Sequence, residues 1–136
     1  MVALPAWCAS YIGLPFMAGG RTRDGLDCWG LVALVWAEHF GKPLPDYDGP
    51  FWTKGADYAA VGAAAQRFTD RFTPVEPGSE RAGDGVLIRM RGAPIHVAVV
   101  VEPGKMLHIE AGTGACVEDY RGLAWRHRVV GFYRYG

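Results

Sequence analysis

Asp27-Cys28-Trp29-Gly30-Leu31-Val32-Ala33-Leu34-Val35-Trp36 carries both a helix and, at its start, a reactive group. Leu31, Val32, Leu34, Val35 and Trp36 form a broad apolar face, which predicts a helix over 28–40 closed by His39-Phe40-Gly41. Asp27 is the expected N-cap, its carboxylate accepting amide hydrogens of the first turn. Cys28 then falls where unpaired amides carry partial positive charge, a setting that favours thiolate over thiol. A cysteine opening an apolar helix also has a plainer reading as a core residue. The charged residue before it and the glycine-rich loop ahead of it favour a nucleophile.

Upstream, residues 4–12 read as a short helix, with Pro5 suited to its first turn and Gly13 and Pro15 ending it. Trp7, Cys8, Tyr11 and Ile12 recur at helical spacing and are expected to pack inward. Residues 17–26 are too polar and glycine-rich for an element and read as loop. Downstream, Pro43, Pro45 and Pro50 impose an extended connection, and alanine-rich 56–68 predicts another helix. After Pro77-Gly78 the texture becomes β-rich: strands are expected over 86–90, 95–102, 106–111, 115–120 and 129–135, with a turn at 91–94. The run over 95–102 is almost wholly apolar and should be central. Helices first and strands second imply an α+β fold, N-terminal helices packed on an antiparallel sheet. At 136 residues the chain is expected to form a single domain over 1–136.

Two histidines lie in neighbouring strands of that sheet. In Ile95-His96-Val97-Ala98-Val99, alternation places His96 on one face with Ala98 and Val100. His108, in Met106-Leu107-His108-Ile109-Glu110, returns near His96 through the short turn at 101–105. Each is a core histidine or a catalytic one. In the catalytic reading Cys28 attacks an amide carbonyl, His96 takes its proton and His108 fixes the His96 tautomer. The Cys28 amide at the helix start helps stabilise the oxyanion. A zinc site built from Cys28, His96 and His108 is chemically admissible, but it lacks the short ligand pairs of common structural sites, so no metal or cofactor is expected. His39 and His127 read as ordinary residues, one ending a helix, where its charge is favoured, and the other in an Arg-rich loop. Cys8 and Cys116 are expected to matter for packing rather than chemistry.

Fourteen basic residues balance fourteen acidic ones, which gives no electrostatic case for nucleic acid. Three cysteines form no CxxC and leave at least one thiol free, against a disulfide framework. No apolar stretch has the length of a membrane span, so no membrane insertion is expected. The opening Met1-Val2-Ala3-Leu4-Pro5-Ala6-Trp7 has neither the basic nor the apolar region of a signal peptide. The expectation is synthesis in the cytoplasm and delivery by other means.

Several of these stretches together resemble the NlpC family of papain-like peptidoglycan endopeptidases. Gly13-Leu14-Pro15-Phe16-Met17-Ala18-Gly19-Gly20 resembles the segment before the nucleophile, and Gly25-Leu26-Asp27-Cys28-Trp29-Gly30-Leu31-Val32 the nucleophile helix. Gly41-Lys42-Pro43-Leu44-Pro45 resembles the loop after that helix, and Ala82-Gly83-Asp84-Gly85-Val86-Leu87 the turn entering the sheet. His96-Val97-Ala98-Val99-Val100 and Leu107-His108-Ile109-Glu110-Ala111 resemble the two histidine strands, and Gly131-Phe132-Tyr133-Arg134 the closing strand. The resemblance implies a papain-like fold with Cys28 as nucleophile, His96 as base and His108 as third catalytic residue. It implies that Asp27 binds a substrate amine and that Phe16 lines the substrate site, where many relatives carry a tyrosine. Phenylalanine fills that volume without donating a hydrogen bond. The implied substrates are peptidoglycan stem peptides, cut at γ-D-glutamyl–diamino acid bonds. Gly-Gly-Arg together with Asp-Cys-Trp-Gly is similar to compact phage-tail members, implying tail or injection-device proteins as partners. A secreted antibacterial toxin hydrolase and a structural tail-assembly domain are the rival readings.

Overall fold

Helix α1 spans Cys28–His39, and Asp27 caps it as expected: its Oδ1 accepts from the Gly30 amide at 2.7 Å. The computed structural model describes residues 4–41, 72–90 and 93–135. The helix expected over 56–68, the proline-rich connection and Arg91-Gly92 of the expected turn lie outside the described residues. Ahead of α1, the short helix expected over 4–12 is a single 3-10 turn, Ala6–Ser10. It ends early because Gly13, at φ +91°, redirects the chain: the Gly13 amide and the Leu14 carbonyl are laced to Ala115. Cys8 and Tyr11 are buried as expected, whereas Ile12 is exposed. The stretch expected to be wholly loop contains a small hairpin, β1 (Arg21–Thr22) and β2 (Gly25–Leu26). Two-residue strands have no sequence period to betray them.

The remaining strands are β3 (Phe72–Val75), β4 (Gly85–Met90), β5 (Ala93–Glu102), β6 (Lys105–Glu110), β7 (Gly114–Asp119) and β8 (Val129–Tyr135). They form one antiparallel sheet in the order β3-β8-β4-β5-β6-β7. β3 has no counterpart among the expected strands, and β5 includes Ala93-Pro94, expected in the turn. β5 is interior and covered on both faces, which explains its unbroken apolar run. Val97, Val99 and Val101 pack with Leu31, Val32, Val35 and Trp36 of α1. Ala98 and Val100 pack instead with Met106, Tyr120, Trp125 and Phe132. Each buried Val or Leu in these layers contributes about 1.5–3 kcal/mol relative to exposure. The arrangement is the expected α+β, papain-like one, with a helix that begins at a buried cysteine lying across an antiparallel sheet.

The turn entering β4 is tied down by charge. Arg134 of β8 grips buried Asp84 with a fork, Nε to Oδ1 at 2.8 Å and Nη2 to Oδ2 at 2.7 Å. Asp84 Oδ2 also accepts from the Arg81 amide at 2.9 Å. Gly83, at φ +94°, supplies the turn that only glycine takes without strain. The start of β4, and with it the register of β5, is thereby fixed against the last strand.

Candidate active site

Gly20, Gly25 and Gly30 allow the N-terminus of α1 to sink into the molecule. A methyl group on Gly30 would overlap the Gly20 carbonyl, and one on Gly20 would overlap the Gly25 carbonyl. Residues 15–17 lie alongside β2: Leu26 donates to the Pro15 carbonyl at 3.0 Å and accepts from the Met17 amide at 2.9 Å. Phe16 is thus held at the approach to Asp27-Cys28, half-buried against the same core cluster as Cys28. Asp27 is fully buried. Its Oδ1 takes both the Gly30 amide and Arg21 Nη1 at 2.7 Å, while Oδ2 has no hydrogen-bond partner among the described residues.

Cys28 is 1% exposed and sits against β5, its thiol facing the backbone amides of Val97, Trp29 and Cys28 itself. Those amides favour thiolate, as expected at a helix start. Burial and the neighbouring Asp27 carboxylate outweigh them and push the thiol well above its ordinary range. The expectation of a resting thiolate is therefore corrected: desolvation exceeds the helix-end field.

His96 follows the predicted alternation and packs beside Trp125, ring planes 20° apart at 6.2 Å. Its Nε2 lies 3.1 Å from His108 Nδ1. The paired residues of β5 and β6 run only from Val99↔Leu107 toward the turn, so the imidazole pair bridges the strands beyond that point. His108 Nε2 in turn contacts Glu118 Oε2 at 2.5 Å. Both imidazoles are buried, His96 2% exposed and His108 1%. Burial, then His108 and Arg128, push His96 down to about 3, so it is neutral at ordinary pH. An ionised carboxylate only accepts, so Glu118 keeps the His108 proton on Nε2. With both rings in neutral form, His108 Nδ1 then accepts from His96 Nε2–H, and His96 Nδ1 retains its lone pair.

The structure thus brings His96 and His108 into direct contact and sets Cys28 against the residue next to His96. It forms no hydrogen bond between the thiol and either imidazole among the described residues. Glu118 and Trp125 were missed by sequence reasoning. The signal for Glu118 was available: His108 pairs across from Cys116, and Glu118 follows two residues later on the same face. Trp125 comes from the irregular segment between β7 and β8 and had no such signal. Among the described residues, the groups close enough to share an ion are His96/His108/Glu110 and His108/Cys116/Glu118. Cys28 belongs to neither, so the Cys28/His96/His108 zinc alternative is not assembled.

The NlpC/P60 family model matches residues 13–134, and the chain belongs to that family. It is 24% identical over 120 residues to murein DD-endopeptidase MepS/murein LD-carboxypeptidase of Escherichia coli, covering 88% of this chain and 55% of that protein. The chain therefore spans about half the length of this relative. An NlpC/P60 family protein from Bacillus cereus superposes with TM-score 0.71 at 20% identity, covering 98% of this chain and 41% of the other. The NlpC/P60 domain of peptidoglycan hydrolase SagA superposes with TM-score 0.63 at 22% identity, covering 96% and 94%. These superpositions establish the fold. No described helix is long and apolar enough to cross a membrane.

Proposed function

We propose that the chain is a cysteine endopeptidase, a single catalytic domain over 1–136 that hydrolyses amide bonds in peptidoglycan stem peptides. The observation that carries this reading is the approach of the Cys28 thiol to β5 one residue from His96, whose Nε2 is held by His108. In this mechanism Cys28 Sγ attacks the carbonyl carbon as His96 Nδ1 takes the thiol proton. The Cys28 amide stabilises the oxyanion, and His96 returns the proton to the leaving amine. Water then attacks the thioester, giving its proton to His96, and the carboxylic acid leaves as Cys28 regains its thiol. The murein activity named for the Escherichia coli relative supports the substrate class.

Asp27 Oδ2, buried and without a hydrogen-bond partner among the described residues, is suited to receive a substrate ammonium group, with Phe16 lining the approach. A γ-D-glutamyl–diamino acid bond offers such a group. Delivery by a phage tail or related injection device follows from the resemblance to compact tail members; a secreted toxin would use the same chemistry. The test is incubation with defined muropeptides and mass analysis of the products. Wild type should cleave, while Cys28→Ala, with an unchanged circular dichroism spectrum, should lose at least about 1,000-fold. No turnover by wild type on any muropeptide would favour the structural tail-assembly reading. Full turnover by Cys28→Ala would remove Cys28 as nucleophile.

A further inference from the structure

On the side of His108 away from His96, three different metal-ligand types converge. Cys116 lies directly opposite His108 in the β6–β7 ladder, and Glu118, two residues along, presents its carboxylate on the same face. Cys116 Sγ is 3.6 Å and Glu118 Oε2 2.5 Å from His108 Nε2, and the three ligand atoms lie within 4.8 Å of one another. Cys116 is a free, half-buried thiol, and the Glu118 side chain is 43% exposed, which leaves a path from solvent. We propose that His108, Cys116 and Glu118 form a zinc(II) site whose occupation switches the peptidase off.

The geometry matches the ion. With a Zn–S bond of about 2.3 Å and a Zn–N bond of about 2.0 Å, a tetrahedral centre sets sulfur and nitrogen about 3.5 Å apart. The corresponding nitrogen-to-oxygen separation is about 3.3 Å, so the half-exposed carboxylate must withdraw by less than about 1 Å. Water completes the fourth position. Thiolate, imidazole and carboxylate together suit zinc better than magnesium or calcium, which take all-oxygen sets. The other cluster, His96/His108/Glu110, is a poorer candidate. An ion there would have to break the imidazole–imidazole hydrogen bond, and both rings are closed from solvent.

The inhibitory consequence rests on the proposed role of His96; the binding site itself does not. An ion on His108 Nε2 occupies the lone pair there, so neutral His108 must carry its proton on Nδ1 and donate it to His96 Nε2. His96 then holds its own proton on Nδ1, the nitrogen that must be empty to receive the Cys28 proton. The two imidazole protons are conserved but redistributed. The proton released to solvent is that of the Cys116 thiol. The ion acts by fixing the wrong tautomer, without touching Cys28.

The experiment titrates zinc sulfate in a zinc buffer, and cobalt(II) in parallel, into the whole protein. One equivalent should bind, cobalt giving a thiolate-to-metal charge-transfer band with the visible spectrum of a four-coordinate ion. Cys116→Ser should abolish that band, keep metal-free turnover, and raise the free zinc needed for half-inhibition at least tenfold. Chelation should restore wild-type activity. Retention of the band in Cys116→Ser with loss in Cys28→Ser would overturn the proposal, as would equal zinc inhibition of wild type and Cys116→Ser. Absence of stoichiometric binding would do the same. Because the cobalt spectra need no substrate, a chain inert toward muropeptides still tests the site.

Discussion

A buried, protonated cysteine and a buried, neutral histidine behave differently from a preformed thiolate–imidazolium pair. Cys28 is pushed up first by burial and then by Asp27, and His96 is pushed down first by burial. Alkylation of Cys28 by iodoacetamide should therefore rise about tenfold per pH unit between pH 6 and 9, tracking the small thiolate fraction. A plateau already reached at pH 7, read by mass spectrometry of the Cys28 peptide, would contradict a protonated resting thiol. The relay makes its own graded prediction. His96→Ala should lose roughly 100- to 10,000-fold in single-turnover cleavage. His108→Gln should lose less. Glu118→Gln keeps a carbonyl oxygen that accepts from His108, so it should exceed Glu118→Ala in kcat while both leave KM nearly unchanged. Equal rates for the two Glu118 variants would mean that the carboxylate does not set the tautomers. Cys28, His96 and His108 were legible in the sequence because each sits in a strongly patterned element. Glu118 and Trp125 reach the imidazoles through cross-strand register and an irregular segment, which no local period encodes.

At the scale of elements, α1 was legible nearly to its ends because an aspartate cap and an apolar face agree. The glycines that seat it were legible only as a loop, since their meaning lies in contacts between distant backbones. Gly30→Ala tests this. Helix propensity alone would stabilise α1 by about 1 kcal/mol. The overlap with the Gly20 carbonyl instead predicts net destabilisation of about 1–3 kcal/mol. Urea unfolding should show a lower midpoint; a higher one would mean that the β1–β2 hairpin yields freely. β5 was recognisable as central because burial on both faces leaves residues 97–101 without a polar side chain. β3 was not, since Phe72-Thr73-Pro74-Val75 is short and contains a proline that reads against a strand.

Across the whole molecule, the buried His96 imidazole couples stability to pH. His96 titrates at about 3 when folded, against 6.5 ordinarily. Between those values the unfolded chain binds the extra proton, so stability rises with pH and is lost as pH falls from about 6.5 toward 3. The slope from this group is on the order of 1 kcal/mol per pH unit. Glu80 adds in the same direction. Burial would raise it, but hydrogen bonds from Tyr120, the Gly78 amide and Arg121 together hold it below its ordinary value, a stabilisation lost in acid. Urea midpoints measured from pH 7 to 4 should fall steadily, and His96→Gln should flatten the upper part of that fall. An unchanged slope in the variant would mean that His96 is protonated in the folded chain.

The sheet order has a consequence for biosynthesis. β8, made after the other described strands, sits between β3 and β4 and pairs with both, and its Arg134 is the guanidinium that Asp84 awaits. A nascent chain still lacking residues 129–135 can zip β4 through β7 as successive hairpins, yet it keeps one edge of β4 open and leaves β3 without its neighbour. Translation order and assembly order therefore part company at the last strand. A chain built this way stays unfinished on the ribosome, its sheet closing only when that strand has cleared the exit tunnel.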